Sequence, residues 1–175
     1  MDIGRTILEN NFPRRRLDAA SYGTMGPALG QAVAAQLVYP DKKVICLLGD
    51  SSFGFSGMEI ETLCRYRLPV IICIINNSGI YNGIPFDTSS SSLEERVSSV
   101  PPTSLSGLEQ ARYEMMSLAF GGQGFFITEP TQIHPSLKKA FQSEMPSILN
   151  ICISPMSNRK KQSHDWLSRA SNSNL

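Results

Sequence analysis

The chain has 175 residues, a formal net charge of +1 and 41% hydrophobic residues, values typical of about one globular domain with a sizeable core. The nearly balanced charge gives no reason to expect nucleic acid as a partner. No apolar run approaches the roughly 20 residues that cross a membrane, and residues 1–11 lack the pattern of a secretory signal peptide.

The first part of the chain predicts a short helix, a basic turn and a glycine-rich loop. Ile3, Ile7 and Leu8 indicate the short helix, and Arg14–Arg16 is more typical of a solvated turn than of a phosphate or CoA contact. The loop Tyr22–Gly26 carries glycines that permit close backbone approach to a ligand. A helix follows whose apolar face is predicted to contain Leu29, Ala32, Val33 and Leu37.

The middle of the chain predicts a βαβ unit. Val44–Leu48 and Val70–Ile75 are short apolar runs, each long enough for a strand that is buried on both faces. Between them, the i, i+3, i+4 spacing of Ile60, Leu63 and Cys64 marks one face of a helix. Because the two strands would be parallel, the turns after them meet at the same edge of the sheet, where ligands of open α/β sheets bind.

Two polar side chains follow these strands. Asp50 and Asn77 are expected to face each other across one crevice, and together they offer the carboxylate and amide oxygens that Mg²⁺ accepts alongside phosphates and water. Ser51 and Ser52 add hydroxyl groups at the start of a helix, a suitable place for phosphate. The alternative is an ordinary helix cap and an Asn-Gly-type turn without a ligand.

The rest of the chain predicts a long loop over residues 82–108, with a short helix at Leu93–Val97, and then two helices and two strands. The strands are Gly124–Thr128 and Ser147–Ile153, and Thr131 is the expected cap of the second helix. The apolar positions that define the two helices are Leu108, Ala111, Met115, Leu118 and Ala119, and Ile133, Leu137, Ala140 and Phe141. His134 is expected to be a solvated surface residue.

The four cysteines are predicted to be buried free thiols in a reducing compartment. None has a CxxC spacing, and both histidines lie far from them in sequence, which disfavours zinc. They are Cys46, Cys64, Cys73 and Cys152.

The motif Gly49-Asp50 followed by Asn76-Asn77 resembles the thiamine diphosphate motif of the pyruvate-decarboxylase-like enzymes. The longer run from Gly49 through Pro69 is similar to the branch formed by 2-hydroxyacyl-CoA lyase and oxalyl-CoA decarboxylase, which has Ser at the position of Ser51. The resemblance implies an α/β three-layer sandwich with a mainly parallel sheet, the thiamine-diphosphate-binding fold. Residues 1–155 would form this domain, and residues 156–175 a basic tail.

The resemblance also implies a ligand set. Asp50, Asn77 and the Gly79 carbonyl would hold Mg²⁺, Gly23 would contact the aminopyrimidine group through its carbonyl, and Met25 would support the bent cofactor. The full cofactor-binding set is Gly23, Met25, Gly49, Asp50, Ser51, Ser52, Asn77, Gly79, Ile80 and Tyr81. From residue type alone, Met25 would be ordinary core filling.

No catalytic residue is expected in this chain. In the family, the glutamate that activates the cofactor comes from a pyrimidine-binding domain of a neighbouring subunit. That domain and a middle domain are expected to be missing here, so we expect the isolated chain to bind the diphosphate weakly and not to turn over. The assembled enzyme is expected to be a homo-oligomer with the cofactor between subunits.

The implied reaction is the cleavage of a 2-hydroxyacyl-CoA to formyl-CoA and a shortened fatty aldehyde, a step of fatty-acid α-oxidation. The alternatives are oxalyl-CoA decarboxylase, a non-catalytic truncated partner of full-length subunits, and a different phosphate-binding α/β enzyme. In the tail, Arg159, Lys160 and Lys161 would contact the CoA phosphates or belong to a solvated terminus. Ser173-Asn174-Leu175 resembles the S-K-L address read by the peroxisomal import receptor, which suggests a peroxisomal location.

Overall fold

The structure is a computed structural model that describes residue 4 and residues 7–19, 22–79 and 111–154. Within these residues, no helix combines the length and the apolar character needed to cross a membrane. The predicted loop and short helix over residues 82–108, the start of the next helix at Leu108 and the basic tail lie outside the described residues. At the beginning, Gly4 and Ile7 are helical, and the N–H of Leu8 donates to the Gly4 carbonyl at 2.9 Å.

After these first residues, the described segments contain five further helices, a 3₁₀ turn at Pro130–Gln132 and four strands. The helices are α1 Pro27–Val38, α2 Asp50–Ser56, α3 Glu59–Arg65, α4 Glu114–Ala119 and α5 Ile133–Gln142. The strands are β1 Ile45–Gly49, β2 Ile71–Asn76, β3 Gln123–Ile127 and β4 Ser147–Cys152.

The four strands form one parallel sheet in the order β1-β2-β4-β3. Ile45 lies opposite Ile71, and Ile71 opposite Ser147, so the strands begin at the same level and end at the same edge. Each pair of neighbours in the sequence is joined through helices, as parallel pairing requires. This arrangement confirms the predicted α/β fold.

Two hydrophobic clusters cover the two faces of the sheet and make the domain a three-layer structure. On one face, Ile72, Ile74 and Ile148 pack with residues of α1, α2 and α3, among them Leu29, Phe53 and Leu63. On the other face, α5 packs through Ala140 against Ile71, Cys73, Ile127 and Leu149. Continuous burial of β2 and β4 on both faces explains why their sequences are apolar without alternation.

The prediction that β1 is buried on both faces was wrong. Cys46 and Leu48 point into the first cluster, whereas Ile45 is 52% and Leu47 44% exposed. The physical reason is position, since β1 is the edge strand of the described sheet and α5 packs over β2, β3 and β4. An edge strand and a central strand of similar composition cannot be distinguished by their apolar runs.

The predicted apolar face of α4 was also wrong within the described residues. Ala111 precedes the helix, Met115 and Leu118 are about half exposed, and the buried positions are Glu114 and Ser117. The Ser117 hydroxyl donates to the Pro146 carbonyl at 3.4 Å. The side of this helix that faces the core therefore combines buried polar residues with Met116, which packs against the first cluster.

Smaller differences between prediction and structure concern where helices are capped and which of their residues face the core. Leu37 is 61% exposed because the buried stripe of α1 passes through Gln36 instead. The cap before α5 is a capping box between Glu129 and Gln132, not Thr131. Phe141 is 46% exposed. His134 is exposed, as predicted.

Candidate metal and diphosphate site

Asp50 occupies the junction between β1 and the first helix of the crossover. The strand ends at Gly49, whose extended backbone (φ −80°, ψ 161°) serves as the N-cap, and α2 begins at Asp50 without an intervening loop. The residue is only 1% exposed. A carboxyl group is therefore fixed at the edge where parallel strands end, inside the protein rather than on its surface.

The turn after β2 lies against this carboxyl group. The backbone N–H groups of Gly79 and Ser51 both donate hydrogen bonds to Asp50. Asn77 and Ser78 are half-buried between β2 and Gly79. The crossover thus brings Asp50 and the Asn77–Gly79 turn together at one edge of the sheet, as the sequence predicts.

The described residues do not fully compensate the buried carboxyl group of Asp50. Its Oδ2 atom is buried and has no hydrogen-bond partner. Burial raises the pKa of the carboxyl group above its ordinary value of 3.8, and the N–H groups of Ser51 and Gly79 offset only part of that rise. No lysine or arginine of the described segments forms an ion pair with it. A buried carboxylate in this situation is stabilised by a cation.

The serines that follow Asp50 differ in their contacts. The Ser51 hydroxyl is buried and has no partner, so one hydrogen-bonding group remains available beside Asp50. The Ser52 hydroxyl accepts a hydrogen bond from the N–H of Gly26 at 3.3 Å, and the Ser56 hydroxyl donates to the Gly26 carbonyl at 2.7 Å. Ser52 retains its own proton as a donor.

These bonds tie the glycine-rich loop to α2 through Gly26. Gly26 has φ of 100°, a conformation that favours glycine, and it is the N-cap of α1 with Pro27 at the first helical position. Gly23 also has positive φ (61°) and is exposed, whereas Met25 is half-buried. The loop therefore lies beside the start of α2, and Gly26, which sequence reasoning did not single out, makes the connection.

Tyr113, just before α4, also contributes to the surroundings of Asp50. Its ring lies edge-on to that of Phe53, with 5.5 Å between the centroids. Its hydroxyl is buried and has no partner. Burial and the negative charge of Asp50 raise the pKa of Tyr113 to about 12, so the phenol keeps its proton as a donor.

Beneath the Asn77–Gly79 turn lies a network of buried polar side chains. The Asn76 Nδ2 donates to Asn150 Oδ1 at 3.1 Å, and the Asn150 Nδ2 donates to Glu114 Oε2 at 2.8 Å. Asn76, Asn150 and Glu114 are each at most 2% exposed. Sequence reasoning missed this network, although a polar residue in the middle of the apolar run Ser147–Cys152 was a signal for it.

Several predicted contacts lie outside the described residues, among them Ile80 and Tyr81 beside the cofactor and the tail residues Arg159, Lys160, Lys161, Ser173, Asn174 and Leu175. All four cysteines are free thiols, and Cys152 is half-buried where the prediction was full burial. Within the described segments, no three His, Cys, Asp or Glu residues form a cluster that could hold a metal. The candidate site thus relies on one carboxylate together with amide, hydroxyl and backbone groups.

Comparison with known proteins gives a family match over most of the chain. The family described as "Thiamine pyrophosphate enzyme, C-terminal TPP binding domain" matches residues 2–151. The chain is 50% identical over 177 aligned residues to 2-hydroxyacyl-CoA lyase 1 of Mus musculus, a match that covers 97% of this chain and 30% of that protein. It is 43% identical over 155 residues to oxalyl-CoA decarboxylase of Escherichia coli K12, covering 89% of this chain and 26% of that one.

Among solved structures, the chain is similar to the thiamine diphosphate-dependent 4-hydroxybenzoylformate decarboxylase of Rhodococcus jostii RHA1. The TM-score is 0.58 at 23% identity, and the match covers 76% of this chain and 24% of that one. This likeness concerns the fold. In each comparison the chain spans less than a third of the length of the protein it matches.

Proposed function

Because the chain belongs to the thiamine pyrophosphate enzymes, as their C-terminal TPP-binding domain, we propose that it holds the diphosphate of thiamine diphosphate through Mg²⁺ at the carboxyl edge of β1 and β2. The observation that carries this proposal is the buried Asp50 carboxyl group. One of its oxygens lacks a partner, no described cation pairs with it, and the Asn77–Gly79 turn lies against it.

The residues fit a magnesium diphosphate. Asp50, the Asn77 side chain and the Gly79 carbonyl would supply hard oxygen ligands, and Mg²⁺ completes its shell with phosphate oxygens and water. The unpartnered Ser51 hydroxyl and the remaining proton of Ser52 would donate to the diphosphate. Gly49 would let the backbone pass close to the diphosphate. Gly23 and Met25 would contact the pyrimidine ring of the cofactor, and Ile80 and Tyr81 would line the rest of the pocket.

The proposed reaction of the whole protein is the cleavage of a 2-hydroxyacyl-CoA to formyl-CoA and a shortened fatty aldehyde. The support is the 50% identity to the mouse 2-hydroxyacyl-CoA lyase 1. When bound, thiamine diphosphate supplies the carbon nucleophile and electron sink for breaking a bond next to a carbonyl carbon. This chain contributes binding and orientation of the diphosphate half, and the group that activates the cofactor would come from a further domain.

Oxalyl-CoA decarboxylation is the second candidate, because the chain is 43% identical to the Escherichia coli enzyme over 89% of its length. A chimaera decides between the two reactions. This chain would replace the matched segment of the mouse lyase, and both thioesters would be offered. We expect aldehyde release from the 2-hydroxyacyl-CoA. Carbon dioxide release from oxalyl-CoA alone would instead support the second candidate.

Binding by this chain is tested by thermal unfolding with thiamine diphosphate and Mg²⁺, added separately and together. A ligand that binds only the folded state raises the unfolding temperature, and the rise grows with the ratio of the ligand concentration to its dissociation constant. We expect a rise only when both are present at millimolar concentration, because Mg²⁺ would link the diphosphate of the cofactor to Asp50. An equal rise with inorganic pyrophosphate would show that the diphosphate supplies the affinity.

Location, assembly and CoA contacts are proposed from the sequence. The tripeptide Ser173-Asn174-Leu175 would direct the protein to peroxisomes through the import receptor, the assembled enzyme would be a homo-oligomer, and Arg159–Lys161 would lie near CoA phosphates. A fluorescent protein ending in residues 156–175 tests the first point. It should be found in peroxisomes, and deletion of Leu175 should leave it dispersed.

A further inference from the structure

Both polar atoms of the Asn76 side chain, at the last residue of β2, form hydrogen bonds near the proposed metal ligands. Its Nδ2 donates to Asn150 Oδ1 (3.1 Å) and to the Ala111 carbonyl (3.2 Å), and its Oδ1 accepts from the N–H of Ser78 (3.1 Å). If the amide were reversed, Nδ2 would face the Ser78 N–H, donor against donor. The contacts therefore allow one orientation of this side chain.

The bond to Ser78 matters because of the backbone there. Ser78 has φ of 59°, which is left-handed and costs about 1–2 kcal/mol for a residue with a Cβ atom. The hydrogen bond from its N–H to Asn76 is an Asx turn, an arrangement that supports such a conformation. Asn76 thus holds the chain in the bend that presents Asn77 and Gly79.

Asn76 is held in turn by Asn150 and Glu114. The Asn150 Nδ2 donates to Glu114 Oε2 (2.8 Å) and to the Ala111 carbonyl (2.8 Å). The remaining Glu114 oxygen pairs with the Nε of Arg112, whose guanidinium lies 4.1 Å from the centroid of the Phe126 ring. Every amide and carboxylate atom of the three buried side chains has a partner, which makes the arrangement rigid.

Burying this polar network in the core costs free energy of folding. Both asparagines and the glutamate are buried in the layer that contains Ile74 and Ile148, and apolar side chains of similar volume would fill such a place without desolvating polar groups. The network connects to the turn beside Asp50, and Asn150 and the Ala111 carbonyl are the described groups that accept from the Asn76 side chain. Its placement favours a role in positioning over one in stability.

We propose that Asn150 and Glu114 are positioning residues that act through Asn76 to fix the Asn77–Gly79 turn for metal binding. This inference rests on the proposed function. Neither residue touches the metal or the diphosphate. Their effect is to keep the turn in the conformation that the ligand needs before it binds, as outer groups do around metal ligands.

The test uses two measurements on the 175-residue chain. The first is hydrogen exchange of the Ser78 amide by NMR without ligand. The second is the dissociation constant of Mg²⁺ in the presence of thiamine diphosphate. Asn150→Leu removes the three side-chain hydrogen bonds of Asn150, and Asn150→Ser is a milder variant if the first does not fold. Glu114→Gln keeps one acceptor oxygen, which can serve Asn150 or Arg112 but not both, and Ile148→Val alters the same strand outside the network.

We expect Asn150→Leu to accelerate Ser78 exchange about tenfold or more and to weaken Mg²⁺ binding about 10- to 100-fold. Glu114→Gln should change both quantities in the same direction but less than Asn150→Leu, and Ile148→Val should change neither quantity although it lowers stability. Unchanged Ser78 exchange in the asparagine variants would overturn the proposal. So would faster exchange with Mg²⁺ binding equal to that of Ile148→Val.

The exchange measurement separates this inference from the function on which it rests. If the wild-type chain binds no Mg²⁺ with thiamine diphosphate, the proposed function fails, and the positioning role fails with it because the turn then holds no metal. If the wild type binds Mg²⁺ and the Asn150 variants behave like the Ile148→Val control, the proposed function stands and the positioning role alone is overturned.

Discussion

The backbone N–H of Gly79 donates a hydrogen bond to the carboxyl group of Asp50, which joins the turn after β2 to the start of α2. The two residues belong to the two ends of one parallel crossover, and their strands are paired from Ile45–Ile71 to Gly49–Ile75. The contact lies at the carboxyl edge of the sheet, where the two strands end. It leaves one oxygen of a buried carboxylate directed at no protein group in the described residues.

Asp50→Asn should stabilise the ligand-free chain while removing metal binding. Burial raises the pKa of Asp50 above 3.8, so the folded state disfavours the charged carboxylate near neutral pH. We expect the unfolding temperature to rise on the order of 3 °C at pH 7. If Asp50→Asn unfolded at a lower temperature than wild type, the charge of the Asp50 carboxylate would already be compensated in the ligand-free chain.

The same shift predicts the pH dependence of wild-type stability. As pH falls through the raised pKa of Asp50, the folded state takes up a proton before the unfolded state does, so the free energy of unfolding from this group rises. The gain is complete below 3.8, where both states are protonated. Chemical denaturation from pH 7 to pH 4 measures the difference in the free energy of unfolding between wild type and Asp50→Asn. This difference should shrink steadily as the pH falls. A constant difference would contradict the assignment.

Gly26→Ala should loosen the glycine-rich loop from α2. Gly26 has φ of 100°, and an added Cβ atom would lie 2.9 Å from the Cβ of Phe55. We expect a loss of about 1–3 kcal/mol in the free energy of unfolding and weaker binding of thiamine diphosphate. Urea denaturation and titration measure the two effects. Ser52→Ala, which removes the acceptor of the Gly26 N–H, should weaken binding at a smaller cost in stability.

Gly124→Ala should destabilise the packing of α4 on β3. An added Cβ atom would lie 2.5 Å from the Glu114 carbonyl oxygen, a backbone atom that cannot move freely. The expected cost is about 2–3 kcal/mol. Gly30→Ala is the matched control, since Gly30 is an exposed helical position with nothing within 4 Å of the added atom. It should gain up to about 1 kcal/mol, and equal losses at both positions would refute the packing argument.

Cys46 and Cys73 should be inert towards alkylation in the folded chain. Burial raises the pKa of Cys46 to about 12 and that of Cys73 to about 11, so almost no thiolate forms at pH 8. Iodoacetamide labelling followed by mass spectrometry should show modification of both only after urea unfolding. Cys152, which is half-buried, is expected to react before them. Rapid labelling of Cys46 in the native chain would contradict its burial.

Much of the βαβ unit could be predicted from sequence because its signals are local. Apolar runs predicted both strands to within about one residue, and the spacing of Ile60, Leu63 and Cys64 identified a face that is buried. The rule that parallel strands end at one edge then placed Asp50 near the turn that contains Asn77. The roles proposed for these residues in ligand binding remain predictions.

What sequence could not supply were the partners across the fold. Exposure of Ile45 and Leu47 depends on which element covers the edge of the sheet, and this cannot be predicted from the residues of the strand itself. Burial of Glu114 depends on Asn150, and the two meet only when α4 packs on β4. The capping box of Glu129 and Gln132 was missed because glutamate is not one of the residues that usually mark an N-cap.

The most direct test of the account is a calorimetric titration of the wild-type chain with thiamine diphosphate in the presence and absence of Mg²⁺. Asp50→Asn and Asn77→Ala are the test variants, and Asp41→Asn, which changes an exposed aspartate in the turn before β1, is the matched control. The account predicts weak, Mg²⁺-dependent binding to wild type and Asp41→Asn, and none to the two test variants. Equal binding by all four proteins, or binding indifferent to Mg²⁺, would contradict it.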